Sequence, residues 1–334
     1  MTTVLVTGAT GFLGRHTVRA LLARGHAVRA MARNPPMDFA AQMGPGALTM
    51  VQGDVLDEAA LAGAMEGVGA VFHLAGMVSR DPSDADALYR AHVLGTRAVI
   101  EAARAAKVKR FVYASTSGTV GISDEPTLAT EQDDPPVRWL SRFGYYRAKW
   151  LAEKEALAAN SATLEVVSVN PSLLLGPGDA FGSSTDDVRK FLDRAIPATP
   201  RGGIAFVDAR DAAEAMVLAF ERGRPGERYL INGANMSVRS FFARLARASG
   251  VEAPALSLPK SREVARLSTA VFARMVRAIG GESPVDPASV EMGQLFWYVS
   301  ADKAERELGW APRDPQQTLL DTIRDLRGER THAA

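Results

Sequence analysis

A chain of 334 residues, 47% hydrophobic and 23% charged, has the make-up of a globular protein with room for one large or two fused domains. Its net charge of +1 gives no support for nucleic acid or an anionic membrane as the main partner, and the absence of cysteine excludes disulfides, thiolate catalysis and cysteine-bound metal. No secretory signal opens the chain and no apolar run is long enough to span a bilayer, so the expectation is a cytoplasmic protein with no metal centre.

The first element is the run Val4-Leu5-Val6-Thr7, which reads as a buried strand. It ends in Gly8, Gly11 and Gly14, and an amphipathic helix follows with Val18, Leu21 and Leu22 on one face. In such a unit Gly8 allows the tight turn, Gly11 lets the backbone approach a pyrophosphate, and Gly14 lets helix and strand pack closely. The helix N-terminus then offers unpaired N–H groups and the positive end of its dipole to phosphates. With the strand before and the helix after, the glycines predict a dinucleotide site.

Further along, Ala27 to Ala32 reads as a second strand stopped by Asn34-Pro35-Pro36, and Leu48 to Gln52 as a third running into Gly53-Asp54. A short helix from Glu58 to Met65 precedes a fourth strand, Ala70 to Leu74, and helical spacing runs from about Asp84 to Lys107. Arg110 to Ala114 is a fifth strand, Tyr145 to about Asn160 a helix, and Leu164 to Val169 a sixth strand closed by Asn170-Pro171. This alternation predicts an α/β fold, a Rossmann doubly wound parallel sheet forming a dinucleotide-binding domain over 1–170. Beyond Pro171 the regularity fades. Phe181 to Gly203 looks loop-like with a short helical patch, Arg228 to Ile231 looks like a strand, and helices are expected near Val238–Ala248, Arg262–Ile279 and Gln316–Leu326. The second half, 171–330, is therefore expected to be a smaller C-terminal substrate-binding lobe packed on the first, with segments returning to the sheet in about 204–235.

Tyr145 and Lys149, four apart at the start of a helix, project from one face. A phenol is a poor acid–base catalyst at neutral pH, and an ammonium one turn away is expected to pull its pKa down toward working range. Ser115-Thr116-Ser117 places three hydroxyls just past the C-terminal end of a central strand, the edge at which open α/β sheets bind ligands. Cofactor choice is read near the end of the second strand. No acid stands there; Arg29 and Arg33 share a face, and Arg33 lies where the adenine ribose is expected, its guanidinium suited to a 2′-phosphate. NADP(H) is favoured and NAD(H) stays possible.

With these residues in place the chain resembles the extended short-chain dehydrogenase/reductase family, of the NAD(P)-dependent epimerase/dehydratase type. The resemblance rests on Thr7-Gly8-Ala9-Thr10-Gly11-Phe12-Leu13-Gly14, Gly53-Asp54, His73-Leu74-Ala75-Gly76, the hydroxyl cluster, Tyr145-x-x-x-Lys149 and the run Asn170 to Asp179. It looks most like dihydroflavonol-reductase-like and 3β-hydroxysteroid-dehydrogenase-like members. The resemblance implies Tyr145 as proton donor to a carbonyl, Lys149 on the nicotinamide ribose and lowering the tyrosine pKa, and Thr116 (or Ser115, if the register slips by one) on the substrate oxygen. It implies cofactor contacts from Gly8, Thr10, Gly11, Phe12, Leu13, Arg33, Asp54, Val55, Leu74, Ala75, Gly76 and Pro171 as well. It also implies a homodimer through the helices at about 84–107 and 145–160, whose apolar residues include Val93, Ala98, Ile100, Leu151, Ala152 and Leu157.

Two departures stand out. Relatives with Asn-Val-x-Gly-Thr on the long helix have an amide where this chain has His92, which weakens a sugar-epimerase reading, and the usual catalytic serine is Thr116. A sugar-nucleotide site must hold a diphosphate, yet four basic against three acidic residues between Asp186 and Arg201 leave that stretch only +1. Trp139 and Phe143 before the Tyr145 helix, with Phe181, Phe191 and Ile196 in the following lobe, predict instead a pocket for a small, largely apolar carbonyl compound. The reading is an NADP(H)-dependent ketone reductase or alcohol dehydrogenase. Its alternatives are a nucleotide-sugar epimerase or dehydratase holding NAD tightly, and a cofactor-binding regulator that performs no chemistry.

Overall fold

The computed structural model describes residues 2–259 and 287–329. The strands in chain order are β1 (Thr3–Thr7), β2 (Ala27–Ala32), β3 (Leu48–Gln52), β4 (Ala70–His73), β5 (Arg110–Ala114), β6 (Glu165–Pro171), β7 (Leu173–Leu175), β8 (Ala198–Thr199), β9 (Gly203–Asp208), β10 (Arg228–Ile231), β11 (Ala234–Ser237) and β12 (Leu256–Ser257). Seven of them, all parallel, form one sheet in the order β10-β6-β5-β4-β1-β2-β3. The chain winds outward from β1 to β3, then crosses back to place β4 on the other side of β1. That reversal opens a crevice at the carboxyl ends of β1 and β4, where such sheets take ligands. The fold is the expected Rossmann sheet.

Both faces of the sheet are covered, which is why β4 and β5 are buried along their whole length. Val4 and Val6 point to one face, against helix α1 (Phe12–Ala23) and a helix over Ala209–Arg222 that supplies Ala212, Met216 and Val217. Leu5, between them, points to the other face, against Leu61, Val99 and Ala152 from the helices Glu58–Met65, Gly95–Ala105 and Gly144–Ala158. Each such fully buried Val or Leu contributes about 1.5–3 kcal/mol relative to an exposed one.

The second lobe is built on the three-stranded sheet β11-β9-β7 and a cluster of Phe191, Phe206, Phe241, Phe242, Leu245 and Leu319. Of the 204–235 stretch, Arg228–Ile231 joins the main sheet as its edge strand, whereas β9 belongs to the smaller sheet. Between them lies the Ala209–Arg222 helix, which the sequence reading passes over. It is buried on most sides and rich in alanine, so it shows little polar contrast around its circumference. The expected helix at Arg262–Ile279 lies outside the described residues.

Two further points bear on the site. The expected helix from Asp84 to Lys107 runs from Ala85 to Ala105 but opens into a π-turn over Arg90–Leu94, the segment that carries His92. Of the apolar residues named for a dimer contact, Val93, Ile100 and Ala152 are buried against the sheet, Ala98 and Leu151 pack on the same core, and Leu157 is half-buried outside it. The outward side of this helix pair carries the Arg97–Glu155 ion pair at 2.7 Å, with Arg90, Glu101 and Arg147 exposed.

Candidate active site

The glycine turn forms one end of the site. Gly8 sits in the left-handed region at φ +68°, and a Cβ there would lie 2.6 Å from the Ala75 nitrogen. A Cβ on Gly14 would lie 2.1 Å from the Gly8 carbonyl oxygen, so the turn, the end of β4 and α1 close on one another only because both side chains are missing. Gly11 is the N-cap of α1, and the first turn of that helix holds neither a capping side chain nor an acid. Its N–H groups and dipole therefore face the crevice without a competing anion.

At the end of β2, Arg33 is exposed and lines the same crevice. Arg29, on the same strand face, is committed elsewhere: it donates to the Ala64 and Glu66 carbonyls at 2.7 and 2.8 Å and so caps the Glu58–Met65 helix. Asp54 accepts from the Leu56 N–H at 2.9 Å and lies on the crevice wall beside Val55.

All fifteen residues named above as catalytic or cofactor-contacting line one continuous cavity of about 1940 Å³. Thr116, just beyond β5, opens onto it and its Oγ1 accepts from the Gly118 N–H at 3.4 Å. Ser115 instead turns its hydroxyl inward, donating to buried Glu153 at 2.9 Å. Lys149 is buried and donates from Nζ to the Ala114 carbonyl at 2.7 Å, which ties the Tyr145 helix to the end of β5. Burial lowers its pKa to about 8, against the pull of Glu153 in the other direction.

The Tyr145 phenol behaves differently from the sequence expectation. Burial in the cleft, with a smaller contribution from Tyr146, pushes its pKa well above the usual phenol range. Lys149 does not bring it down here: its bond goes to the backbone, and loss of water around the phenolate dominates. At neutral pH the tyrosine therefore holds its proton.

His92 meets the Tyr145 ring edge-on, with centroids 5.6 Å apart. Its Nε2 donates to the Met77 carbonyl at 2.8 Å, which leaves Nδ1 an acceptor, buried and with no partner among the described residues. Burial lowers its pKa to about 3, helped by the nearby Lys149 charge, so the ring is neutral. The ring also explains Gly76, where a Cβ would come within 2.3 Å of His92 Cε1.

The far wall comes from the second lobe: Ile196, Val238, Phe241, Phe242, Leu256 and Leu258 line the cavity. Of the rings expected there, Phe143 and Phe181 do line it. Trp139 and Phe191 do not. Trp139 packs with Ile122, Leu140 and Leu295, and Phe191 stacks on Phe242 in the lobe's own core. Both sit on helices whose buried face points away from the cleft, a direction that residue type alone does not reveal. Sequence reasoning also missed Tyr146, whose ring packs on Trp297 at 4.9 Å and occupies the space a side chain on Gly118 would need. Nor did it find the bidentate pair of Arg80 with Asp187, at 2.8 and 3.1 Å, which joins the two lobes across the cavity mouth. Tyr146 follows Tyr145 directly and was there to be read; the Arg80–Asp187 pair is 107 residues apart and carries no local sign. Among the described residues no cluster of side chains fits a metal ion, and no helix is long and apolar enough to cross a membrane.

Comparison with known proteins places the fold among characterised relatives. A Synechocystis sp. protein named "Putative dihydroflavonol 4-reductase" is 35% identical over 324 residues, covering 95% of this chain and 92% of the relative. The 4-hydroxy-2-methyl-3-oxo-4-farnesyl-3,4-dihydroquinoline-1-oxide ketoreductase of Stigmatella aurantiaca is 32% identical over 333 residues, covering 96% and 95%. The crystal structure of gox2253 superposes with a TM-score of 0.82 at 31% identity, covering 98% of both chains. The family profile described as NAD dependent epimerase/dehydratase matches residues 4–232. The chain belongs to the NAD dependent epimerase/dehydratase family, in the company of its reductases.

Proposed function

We propose that the protein is an NADP(H)-dependent reductase that converts a carbonyl on a small, largely apolar molecule to an alcohol. The observation that carries this reading is the convergence of Tyr145, Lys149 and Thr116 on the same cavity as the glycine turn and Arg33. The glycine cradle fits a dinucleotide, since Gly8 and Gly14 let the turn, the end of β4 and α1 close tightly and the N-terminus of α1 faces the crevice uncompensated. Gly8, Thr10, Gly11, Phe12 and Leu13 would hold the pyrophosphate, Asp54 and Val55 the adenine, Leu74, Ala75 and Gly76 the ribose and phosphates, and Pro171 the nicotinamide side. When bound, the reduced nicotinamide supplies the hydride.

The chain's own residues then do the rest. Thr116 Oγ1 donates to the substrate oxygen and orients it. Tyr145 Oη gives that oxygen its proton, and its raised pKa keeps the proton in place for the reductive direction. Lys149, held by Ala114, presents its ammonium to the ribose hydroxyls.

Arg33 would bind the 2′-phosphate. Arg33→Asp replaces a charge-assisted bond by repulsion, so the ratio of NADPH to NADH affinity is expected to fall by at least tenfold, in line with about 1.5–3 kcal/mol for a charged hydrogen bond. Titration with both cofactors checks this, and an unchanged ratio makes Arg33 a bystander.

The substrate reading is supported by the wall of the second lobe and by charge. Three of the basic side chains lining the cleft carry a local counter-charge, Arg80 from Asp187, Lys190 from Asp186 and Arg142 from Glu291, which lessens their pull on a diphosphate, while Arg90 and Arg147 also line it. A panel of apolar ring and acyl-chain ketones, set against sugar nucleotides and followed by NADPH consumption, tests it. An apolar ketone is expected to turn over fastest; faster turnover of a sugar nucleotide than of every ketone would sink the assignment.

A further inference from the structure

Glu153 stands one helical turn beyond Lys149 and two beyond Tyr145, on the same face of the Gly144–Ala158 helix. Its side chain has no exposure to solvent, and its partners come from the end of β5, from β6 and from β10, behind the wall of the site. Its Oε2 accepts from Ser115 Oγ at 2.9 Å. Its Oε1 accepts from Asn170 Nδ2 at 2.8 Å and Ser168 Oγ at 3.2 Å, and lies 3.3 Å from Arg228 Nε. Asn170 passes the connection on, donating to the Thr116 carbonyl at 3.3 Å and Thr119 Oγ1 at 3.1 Å, and it immediately precedes Pro171.

We propose that Glu153 is a positioning residue of this site: its carboxylate locks the ends of β5 and β6, and with them Thr116 and Pro171, to the Tyr145 helix, and from one turn along the same helix face it supplies a counter-charge to the Lys149 ammonium. The proposal rests on the reading of Tyr145 and Lys149 given above. A buried carboxylate persists only where cations and donors replace its water. One cation lies against this one, Arg228 from β10 at 3.3 Å, and Lys149, one turn back on its own helix, feels its charge without touching it. Tyr113 on β5 is the other titratable group that feels it, and burial together with the Glu153 charge keeps that phenol protonated. His73 and His92, which lie near Lys149, are both neutral at about 3, chiefly through burial. Burial alone drives Lys149 toward the free amine, and Glu153 opposes it. Arg228 and Lys149 thus share one counter-charge, so removing either end of the arrangement moves Lys149 in opposite directions.

The test is the pH dependence of NADPH binding, followed by fluorescence titration of the full-length protein. Lys149 binds as a cation, so affinity is expected to hold below its pKa of about 8 and to fall above it. Glu153→Gln keeps the shape and removes the charge, and the midpoint is expected to move down by about one pH unit, a tenfold change in the Lys149 protonation equilibrium. A purely structural role would weaken binding without moving the midpoint. Lys149→Ala serves as the reference and is expected to abolish the transition. If it does and the midpoint of folded Glu153→Gln stays in place, the Glu153 proposal is overturned while the reading of the site stands. If Lys149→Ala retains the transition, the site reading and the proposal fall together. Should Glu153→Gln not fold, Arg228→Gln decides: it frees the carboxylate for Lys149, so an upward shift supports the proposal and an unmoved midpoint overturns it.

Discussion

Tyr145→Phe is expected to lower carbonyl reduction by about 10²–10⁴-fold, the usual contribution of a positioned general acid, while the protein stays folded and binds its cofactor. The substitution removes one oxygen from a ring that keeps its packing, including the edge-on contact with His92 and the 5.0 Å contact with Tyr146. No hydrogen bond to another described residue is lost with a hydroxyl whose role lies in the cleft. The effect should therefore fall on turnover and leave thermal stability near the wild-type value. Thr116→Val should cost less than Tyr145→Phe, because it removes orientation and leaves the proton source. Steady-state rates and a melting curve on the three proteins check both statements. A Tyr145→Phe enzyme retaining more than a tenth of wild-type turnover would remove Tyr145 from the mechanism.

Gly14→Ala is expected to be among the most damaging single-methyl changes at the described residues. The new carbon would have to sit 2.1 Å from the Gly8 carbonyl oxygen and 2.9 Å from the Ala9 backbone, and neither is the end of a flexible side chain that can swing aside. The turn or α1 must move, at a cost of about 1–3 kcal/mol or more for overpacking, and the cradle moves with it. Both thermal stability and cofactor affinity should fall, the latter by at least tenfold as a consequence of lost N–H geometry. Gly63→Ala gives the contrast. Gly63 is in the Glu58–Met65 helix with open space where its Cβ would be, so the same methyl is expected to stabilise the protein by about 0.5–1 kcal/mol. Equal effects at the two positions would show that the crowding at Gly14 relaxes without consequence.

The first half of the fold was legible because its physics is local. Apolar runs such as Val4 to Val6 and Phe111 to Tyr113 end at glycines, prolines or hydroxyl turns, and parallel strands buried on both faces need no partner pattern to be recognised. The second half was less legible for a physical reason. Its short strands β7, β9 and β11 pair across long separations, and the Ala209–Arg222 helix is buried on too many sides to show a polar stripe. In the site, residue types and spacing pointed to part of the cavity wall, but side-chain direction did not follow from them. Trp139 lies two turns' worth of chain from Tyr145 yet packs into a separate cluster, and Arg29 shares a strand face with Arg33 yet caps a helix. The Tyr145 pKa shows the same limit: spacing put a lysine one turn away, and only the structure shows that its bond goes to Ala114 and that burial dominates.

The central claim, hydride transfer to a carbonyl carbon with Tyr145 as acid, is tested most directly by isotope. NADPH carrying deuterium at both C4 positions is incubated with the protein and the best ketone from the panel, and the alcohol is read by mass spectrometry. The account predicts one deuterium on the carbinol carbon in the wild-type product, and almost no product from Tyr145→Phe. Alcohol formed without deuterium, or no ketone reduced while a sugar nucleotide is converted by the protein's own retained cofactor, would contradict it.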